Sequence, residues 1–164
     1  MEIGSFKISG HSTKRNWAVY LFVATPKEQT EKTILYVGKV GDNRDGCNPV
    51  ISRVGNHFSF NKIHSQIRNE IKETENYDYE YFYCHFGEYE NDENKHLRIN
   101  SRKKTDELER ELNRIVQKKL NAEKHELIKP FSGKTISTEK TKRRAELITD
   151  EERMMLKKLC AQAL

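Results

Sequence analysis

The chain has 164 residues, of which 35% are hydrophobic and 34% charged, so it can form one domain with a modest core and not two. Thirty lysines and arginines against 25 aspartates and glutamates give a formal charge of +5, which suits a polyanionic partner such as nucleic acid. The first residues lack the pattern of a signal peptide, and no segment has the roughly 18 apolar residues of a membrane span, so we expect a cytoplasmic protein without a membrane partner.

The first predicted element is a β-hairpin. Residues 17–24 and 33–40 are short runs rich in valine, isoleucine, tyrosine and phenylalanine, and the segment TPKEQTEK between them has the proline and charges of a loop. We therefore expect the two runs to pair antiparallel. Residues 41–49, GDNRDGCNP, hold turn-forming residues at most positions and predict a second loop.

An amphipathic helix and a third strand are predicted next. Phe60, Ile63, Ile67 and Ile71 recur at three- and four-residue intervals with polar residues between them, which predicts a helix over residues 59–73. The run YDYEYFYCHFGEY, which begins at Tyr77, has aromatic residues at nearly every second position and favours a strand. This strand would complete a small sheet.

The second half of the chain is predicted to hold two further helices. After a polar loop over residues 88–104, Thr105 is a suitable N-cap for a helix whose apolar side is formed by Leu108, Leu112, Ile115, Val116 and Leu120. From about residue 123 the chain is basic and loop-like, until Thr149 and Glu152 form a capping box for a last helix that ends near residue 163. The three cysteines form no CxxC pair, so we expect free thiols.

Two tripeptides on the predicted hairpin carry a resemblance to a known family. AVY, ending at Tyr20, and YVG, from Tyr36 to Gly38, resemble the paired signature that names the GIY-YIG nucleases, a superfamily of homing, repair and restriction endonucleases. The first motif has Ala18 where the family has glycine. The resemblance gains weight from residues further along the chain, which follow in the order of the family.

Arg53 and His57 reproduce the R-x-x-x-H arrangement that restriction-type members carry at the start of their first helix. Glu109 precedes Asn121 by twelve residues, which is the glutamate-to-asparagine spacing of the family, although the usual proline before that asparagine is Lys118 here. The resemblance covers roughly residues 17–121. With the predicted elements, it implies an α+β fold with a small three-stranded antiparallel sheet flanked by helices over residues 12–124. Residues 125–164 would form a basic loop and a C-terminal helical extension packed on this core.

The resemblance implies a metal-dependent endonuclease that hydrolyses phosphodiester bonds of DNA. Glu109 would hold Mg²⁺ or Mn²⁺, since one carboxylate with waters and a phosphate oxygen is a common way to bind magnesium. Arg53 would pair with the scissile phosphate through two parallel donors. Tyr20 is expected to act as the general base, with His57 accepting its proton or positioning the attacking water, and Tyr36 is expected to hold the phosphate or water.

The expected substrate contacts beyond these catalytic residues are Gly38, Lys39 and Asn121. The expected partner is double-stranded DNA, although structured RNA stays an alternative. Cleavage of both strands of a palindrome would need two active sites, and hence a homodimer or successive nicks.

Two other functions fit the same sequence. One is a nucleic-acid-binding module on the same scaffold that has lost cleavage, against which the intact set of candidate catalytic residues argues. The other is an unrelated small α+β interaction protein whose basicity is incidental. In that case the tyrosines would be ordinary strand aromatics, and Glu109 would belong to the polar surface of a helix.

Overall fold

The structure is a computed structural model that describes residues 3–28, 31–41, 48–61, 63–90, 95–131 and 138–164. These residues form an α+β fold. The strands are β1 (Asn16–Pro26), β2 (Thr33–Val40), β3 (Tyr77–Glu88) and β4 (His125–Leu127). The helices are α1 (Val50–Phe58), α2 (Gln66–Glu70), α3 (Lys95–Lys119), α4 (Thr138–Ala145) and α5 (Asp150–Ala163).

The sheet has four strands in the order β3-β1-β2-β4. β1 pairs antiparallel with both β2 and β3, so the predicted hairpin and third strand are confirmed. The prediction of a purely antiparallel three-stranded sheet is wrong, because β4 adds a short parallel pairing along β2, from Thr33 opposite His125 to Leu35 opposite Leu127. Three residues are too few to show the alternation by which a strand is recognised in a sequence.

Both faces of the sheet are covered, which explains why residues 17–24 read as one apolar run. On one face, Val19, Leu21 and Val23 pack in a cluster with residues of α3 and α5, including Leu108, Leu112, Leu156 and Leu159. The opposite face, named the site face below, carries Tyr20, Phe22 and Tyr36 in a cluster with Val50 of α1 and Ile67 of α2. A strand buried on both sides needs apolar or aromatic side chains at every position.

The helix predicted over residues 59–73 is wrong. Phe60 and Ile63 are 87% and 78% exposed, and of the residues described in this range only the five of α2 are α-helical. The backbone of Ser59 is extended and ends the preceding helix. That helix, α1, was not predicted from periodicity, although the resemblance implied a helix that carries Arg53 and His57. It forms because Val50 and His57, two turns apart, both face the sheet and are buried. The loop predicted before it falls largely on residues 42–47, which lie outside the described residues.

Helix α3 begins ten residues before the predicted N-cap. Thr105 lies inside the helix, where its hydroxyl donates a hydrogen bond to the Ser101 carbonyl, as threonine does when it sits within a helix. The loop predicted over residues 88–104 is therefore wrong for residues 95–104, while residues 91–94 lie outside the described ranges. The loop-like prediction for the basic segment also missed α4, and residues 132–137 are not among those described.

The last helix agrees with the sequence. Thr149 caps α5 in a capping box: its hydroxyl oxygen accepts a hydrogen bond from the Glu152 backbone N–H, and the Glu152 carboxylate accepts one from the Thr149 backbone N–H. Cys84 and Cys160 are free thiols, as predicted, and Cys47 lies outside the described residues. Within the described part of the chain, the structure contains no helix whose length and hydropathy would let it cross a membrane.

Candidate active site

The two signature tyrosines lie on the site face. The register of the hairpin places Tyr20 opposite Gly38 and Tyr36 opposite Phe22, and the two phenol rings are 6.1 Å apart. Tyr20 is fully buried, and its ring stacks on that of Tyr81 from β3 at 4.6 Å. Tyr36 keeps 9% of its surface exposed. The exposed edge of the pair therefore belongs to Tyr36.

Gly38 makes room for Tyr20. A Cβ atom at Gly38 would overlap the phenol of Tyr20 directly across the strand pair. A glycine two residues after Tyr36 is therefore explained by close packing on the neighbouring strand. Gly38 is buried and has this packing role, while the substrate contact expected from the sequence stays a prediction.

His57 reaches the same cluster from α1. It is fully buried, and its Nε2 lies 2.8 Å from the Tyr20 hydroxyl. Burial lowers the pKa of His57 to about 3, and the nearby Arg53 and Lys129 contribute to that shift. Burial raises the pKa of Tyr20 well above its usual range, and the adjacent Tyr36 raises it further. At neutral pH both groups are uncharged, and the Tyr20 hydroxyl can donate to the imidazole.

An open pocket lies beside this buried pair. Tyr36 of β2, Arg53 and Asn56 of α1, and Glu109 of α3 line it, and its volume is about 170 Å³. Arg53 is four residues before His57, so both side chains project from one side of α1. The buried Nε of Arg53 has no hydrogen-bond partner among the described residues. A buried donor without a partner costs stability, and the neighbouring tyrosine hydroxyls interact with the same guanidinium.

Lys39 also lines this pocket, and its ammonium contacts two carboxylates of α3. The Lys39 ammonium pairs with Asp106 and lies 3.8 Å from Oε2 of Glu109, whose side chain is 31% exposed. Asp106 was not predicted as a site residue. Its position one helical turn before Glu109 was the available signal, because residues three apart share a helix face.

The other acids of the DELERE run point elsewhere. Glu107 is buried and pairs with Arg110 and Arg114, while Glu111 pairs with Arg114 at 2.9 Å. Glu109 is thus distinguished from Glu111 by the face of α3 that it occupies.

Asn121 is not brought to the pocket. It follows the end of α3, where its Oδ1 accepts a hydrogen bond from the Glu123 backbone and its own backbone N–H donates to Nδ1 of His125. It therefore shapes the turn into β4 and lines neither this pocket nor its neighbour, so the substrate contact expected from the sequence has no support from its position. Asn113, which lies one turn after Glu109 and is buried, occupies the wall of a neighbouring pocket instead.

Two carboxylates, Asp106 and Glu109, line the neighbouring pocket and would be the candidate ligands of a hydrated magnesium ion. Glu109 and Asp106 are one turn apart, and Mg²⁺ commonly takes one or two carboxylates while it keeps several waters. Within the described ranges, no group of three or more histidine, cysteine, aspartate or glutamate side chains is positioned to hold a metal.

Comparison of the chain with models of known protein families, with curated proteins and with solved structures found no match. The case for a function therefore rests on the motifs and on the geometry of the pocket.

Proposed function

We propose that the chain is a divalent-metal-dependent endonuclease that hydrolyses phosphodiester bonds of DNA, of the GIY-YIG type that its motifs resemble. One observation carries the proposal. Tyr36, Arg53 and Glu109, which come from three separate elements, line one open pocket. In this proposal the hydroxyl orients water or phosphate, the guanidinium binds phosphate, and the carboxylate holds the metal ion.

Arg53 is the proposed phosphate ligand. Its guanidinium stays charged at any working pH, and it can give two parallel hydrogen bonds to phosphate oxygens. Arg53 lines the pocket, so its guanidinium is placed where a phosphate could bind. Lys39 adds a second positive charge on the pocket wall.

Glu109, with Asp106 beside it, is the proposed holder of Mg²⁺ or Mn²⁺. When bound, such an ion would neutralise charge on the phosphate and assist the leaving 3′ oxygen. The carboxylate of Glu109 also repels phosphate, which keeps the substrate on the Arg53 side until a cation is present.

The two tyrosines receive different roles in this proposal. Burial raises the pKa of Tyr36 and of Tyr20, so both hydroxyls stay protonated at neutral pH. Tyr36 lines the pocket, where its hydroxyl can orient the attacking water or a phosphate oxygen. Tyr20 lies behind it, so we assign Tyr20 and His57 to positioning Tyr36 and Arg53. The general-base role expected for Tyr20 would require an ionised phenol, which its surroundings disfavour.

One observation favours a second candidate, a nucleic-acid-binding module without cleavage. Lys39 contacts both carboxylates, so its ammonium would compete with a metal ion for the same oxygens. In that case the pocket would bind phosphate and leave it intact.

Incubation of the purified full chain with supercoiled plasmid tests the proposal. Parallel samples would contain Mg²⁺, Mn²⁺ or EDTA, and a gel-shift assay on linear duplex would measure retention at increasing salt. Nicking or linearisation only with a divalent ion supports the nuclease. Retention that weakens steeply with salt, without cleavage, supports the binding module. The absence of both cleavage and retention would support the interaction protein.

A further inference from the structure

A second pocket continues from the candidate active site along α3. It shares Tyr36, Lys39 and Glu109 with the first pocket. Its far side is formed by four residues that the proposed hydrolysis does not use, namely Arg110, Asn113, Lys129 and Phe131. Two of these lie beyond the part of the chain that resembles a nuclease.

Backbone hydrogen bonds and a turn at Lys129 place Phe131 at this pocket. β4 lies along β2, and the Ile128 N–H donates to the Leu35 carbonyl at 2.9 Å. Lys129 then adopts a φ of 49°, a left-handed conformation that is uncommon for a residue with a side chain and turns the strand toward α3. The Phe131 N–H donates to Oδ1 of the buried Asn113 at 3.0 Å. A buried amide on α3 therefore fixes the backbone at Phe131.

Phe131 has a fixed backbone, but its ring is not part of the hydrophobic core. Among the described residues it is grouped with neither apolar cluster of the sheet, and its surface is partly exposed. The guanidinium of Arg110 lies 5.6 Å from its ring centroid. A partly exposed aromatic ring beside a pocket proposed to bind phosphate is the kind of surface on which nucleic-acid proteins stack a base.

The two cations on the far side of the second pocket are expected to attract a phosphate only weakly. Arg110 and Lys129 are cationic, but each already pairs with a carboxylate, Glu107 and Glu70 respectively. Most of the affinity for a nucleotide at this place is therefore expected from the ring of Phe131 rather than from charge.

We propose that the second pocket binds the nucleoside that flanks the scissile phosphate, with its sugar and base packed against Phe131, and that Asn113 is a positioning residue for that ring. The inference rests on the proposed function, since the first pocket must hold the scissile phosphate. It gives residues 125–131 a task in substrate binding.

Thymidine 3′,5′-bisphosphate and inorganic phosphate are the probes, because the first carries a nucleoside between two phosphates and the second carries none. Their affinities for the full chain would be measured by calorimetry at constant ionic strength without divalent ions. We expect the bisphosphate to bind at least about tenfold more tightly than phosphate, and Phe131→Ala to remove roughly tenfold of that affinity while phosphate binding stays unchanged. Phe131→Tyr should retain it.

Phe60→Ala is the matched control. Phe60 is also an exposed phenylalanine beneath an arginine, Arg68 at 4.3 Å, and it lies outside the pocket, so its loss should leave both affinities unchanged. Equal binding of the bisphosphate by Phe131→Ala and the parent would overturn the proposal, as would a parent that binds the bisphosphate no better than phosphate.

Photocrosslinking of the parent protein provides a measurement that does not depend on a variant's folding. 5-Iodo-2′-deoxyuridine 3′,5′-bisphosphate should crosslink to Phe131, and a crosslink confined to other residues would overturn the proposal. The two proposals fail separately. Binding through Phe131 without metal-dependent cleavage would contradict the nuclease and leave a pocket that binds a nucleoside beside an uncleaved phosphate. Cleavage with unchanged binding in Phe131→Ala would support the nuclease and overturn the subsite.

Discussion

Replacing Gly38 by alanine places a methyl group where the phenol of Tyr20 already lies. Tyr20 and Gly38 are buried and lie opposite each other on paired strands, so the overlap can be relieved only by moving the ring or the backbone. Overpacking of this kind costs about 1–3 kcal/mol, and loss of the Tyr20–His57 hydrogen bond at 2.8 Å would add about 1 kcal/mol. We expect the free energy of unfolding, measured by urea denaturation at pH 7.5, to fall by about 2–4 kcal/mol.

Gly55→Ala is the control for this substitution. Gly55 lies within α1, and a Cβ there would meet nothing within 4 Å, so alanine should raise stability by about 0.5–1 kcal/mol through helix propensity. In a Tyr20→Ala background, Gly38→Ala should cost much less than in the parent, because the space of the phenol is then free. A Gly38→Ala protein as stable as the parent, or an equal cost in both backgrounds, would refute the close packing of these two residues.

Two further predictions concern charged and titrating groups on α1. His57 has a pKa of about 3 when folded and about 6.5 when unfolded, so below pH 6.5 the unfolded state binds more protons and stability falls as pH falls. Between pH 7.5 and 5.0 the parent should therefore lose about 2 kcal/mol more than His57→Gln in urea denaturation, and equal losses would contradict the buried neutral imidazole. Arg53→Lys should lower the cleavage rate by about a hundredfold or more because an ammonium lacks the two-donor fork, whereas Arg143→Lys on the exposed face of α4 should cleave at the parent rate.

The sheet shows which parts of the fold a sequence pattern can predict. β1 and β2 were predictable because each is a continuous apolar run between loop signals, and β3 because its aromatic residues alternate. β4 depends on a tertiary pairing of three residues with β2, which no local pattern records. The start of α3 was missed because Thr105 and the acids after it look like an N-cap, although the polar residues before them continue the helix.

The candidate site, like the fold, was predictable only in part. The order of the motifs predicted which elements would meet, and Tyr36, Arg53 and Glu109 do line one pocket. It did not predict which tyrosine reaches solvent, because that depends on how α1 covers Tyr20. Asp106 and Phe131 were not predicted to line a pocket. The position of Asp106 depends on the rotation of α3 about its axis, and that of Phe131 depends on the path of the chain after β4.

The most direct test of the proposed active site compares two glutamates on α3 in the plasmid cleavage assay with Mg²⁺. Glu109→Gln keeps the size of the side chain and removes the charge proposed to hold the cation. Loss of about 4 kcal/mol of transition-state stabilisation corresponds to a rate about a thousandfold lower, with DNA retention unchanged or improved. Glu111→Gln, which loses only a pairing with Arg114, should cleave at the parent rate. Cleavage by Glu109→Gln at the parent rate, or loss of cleavage in Glu111→Gln instead, would contradict the assignment of Glu109 as the metal ligand.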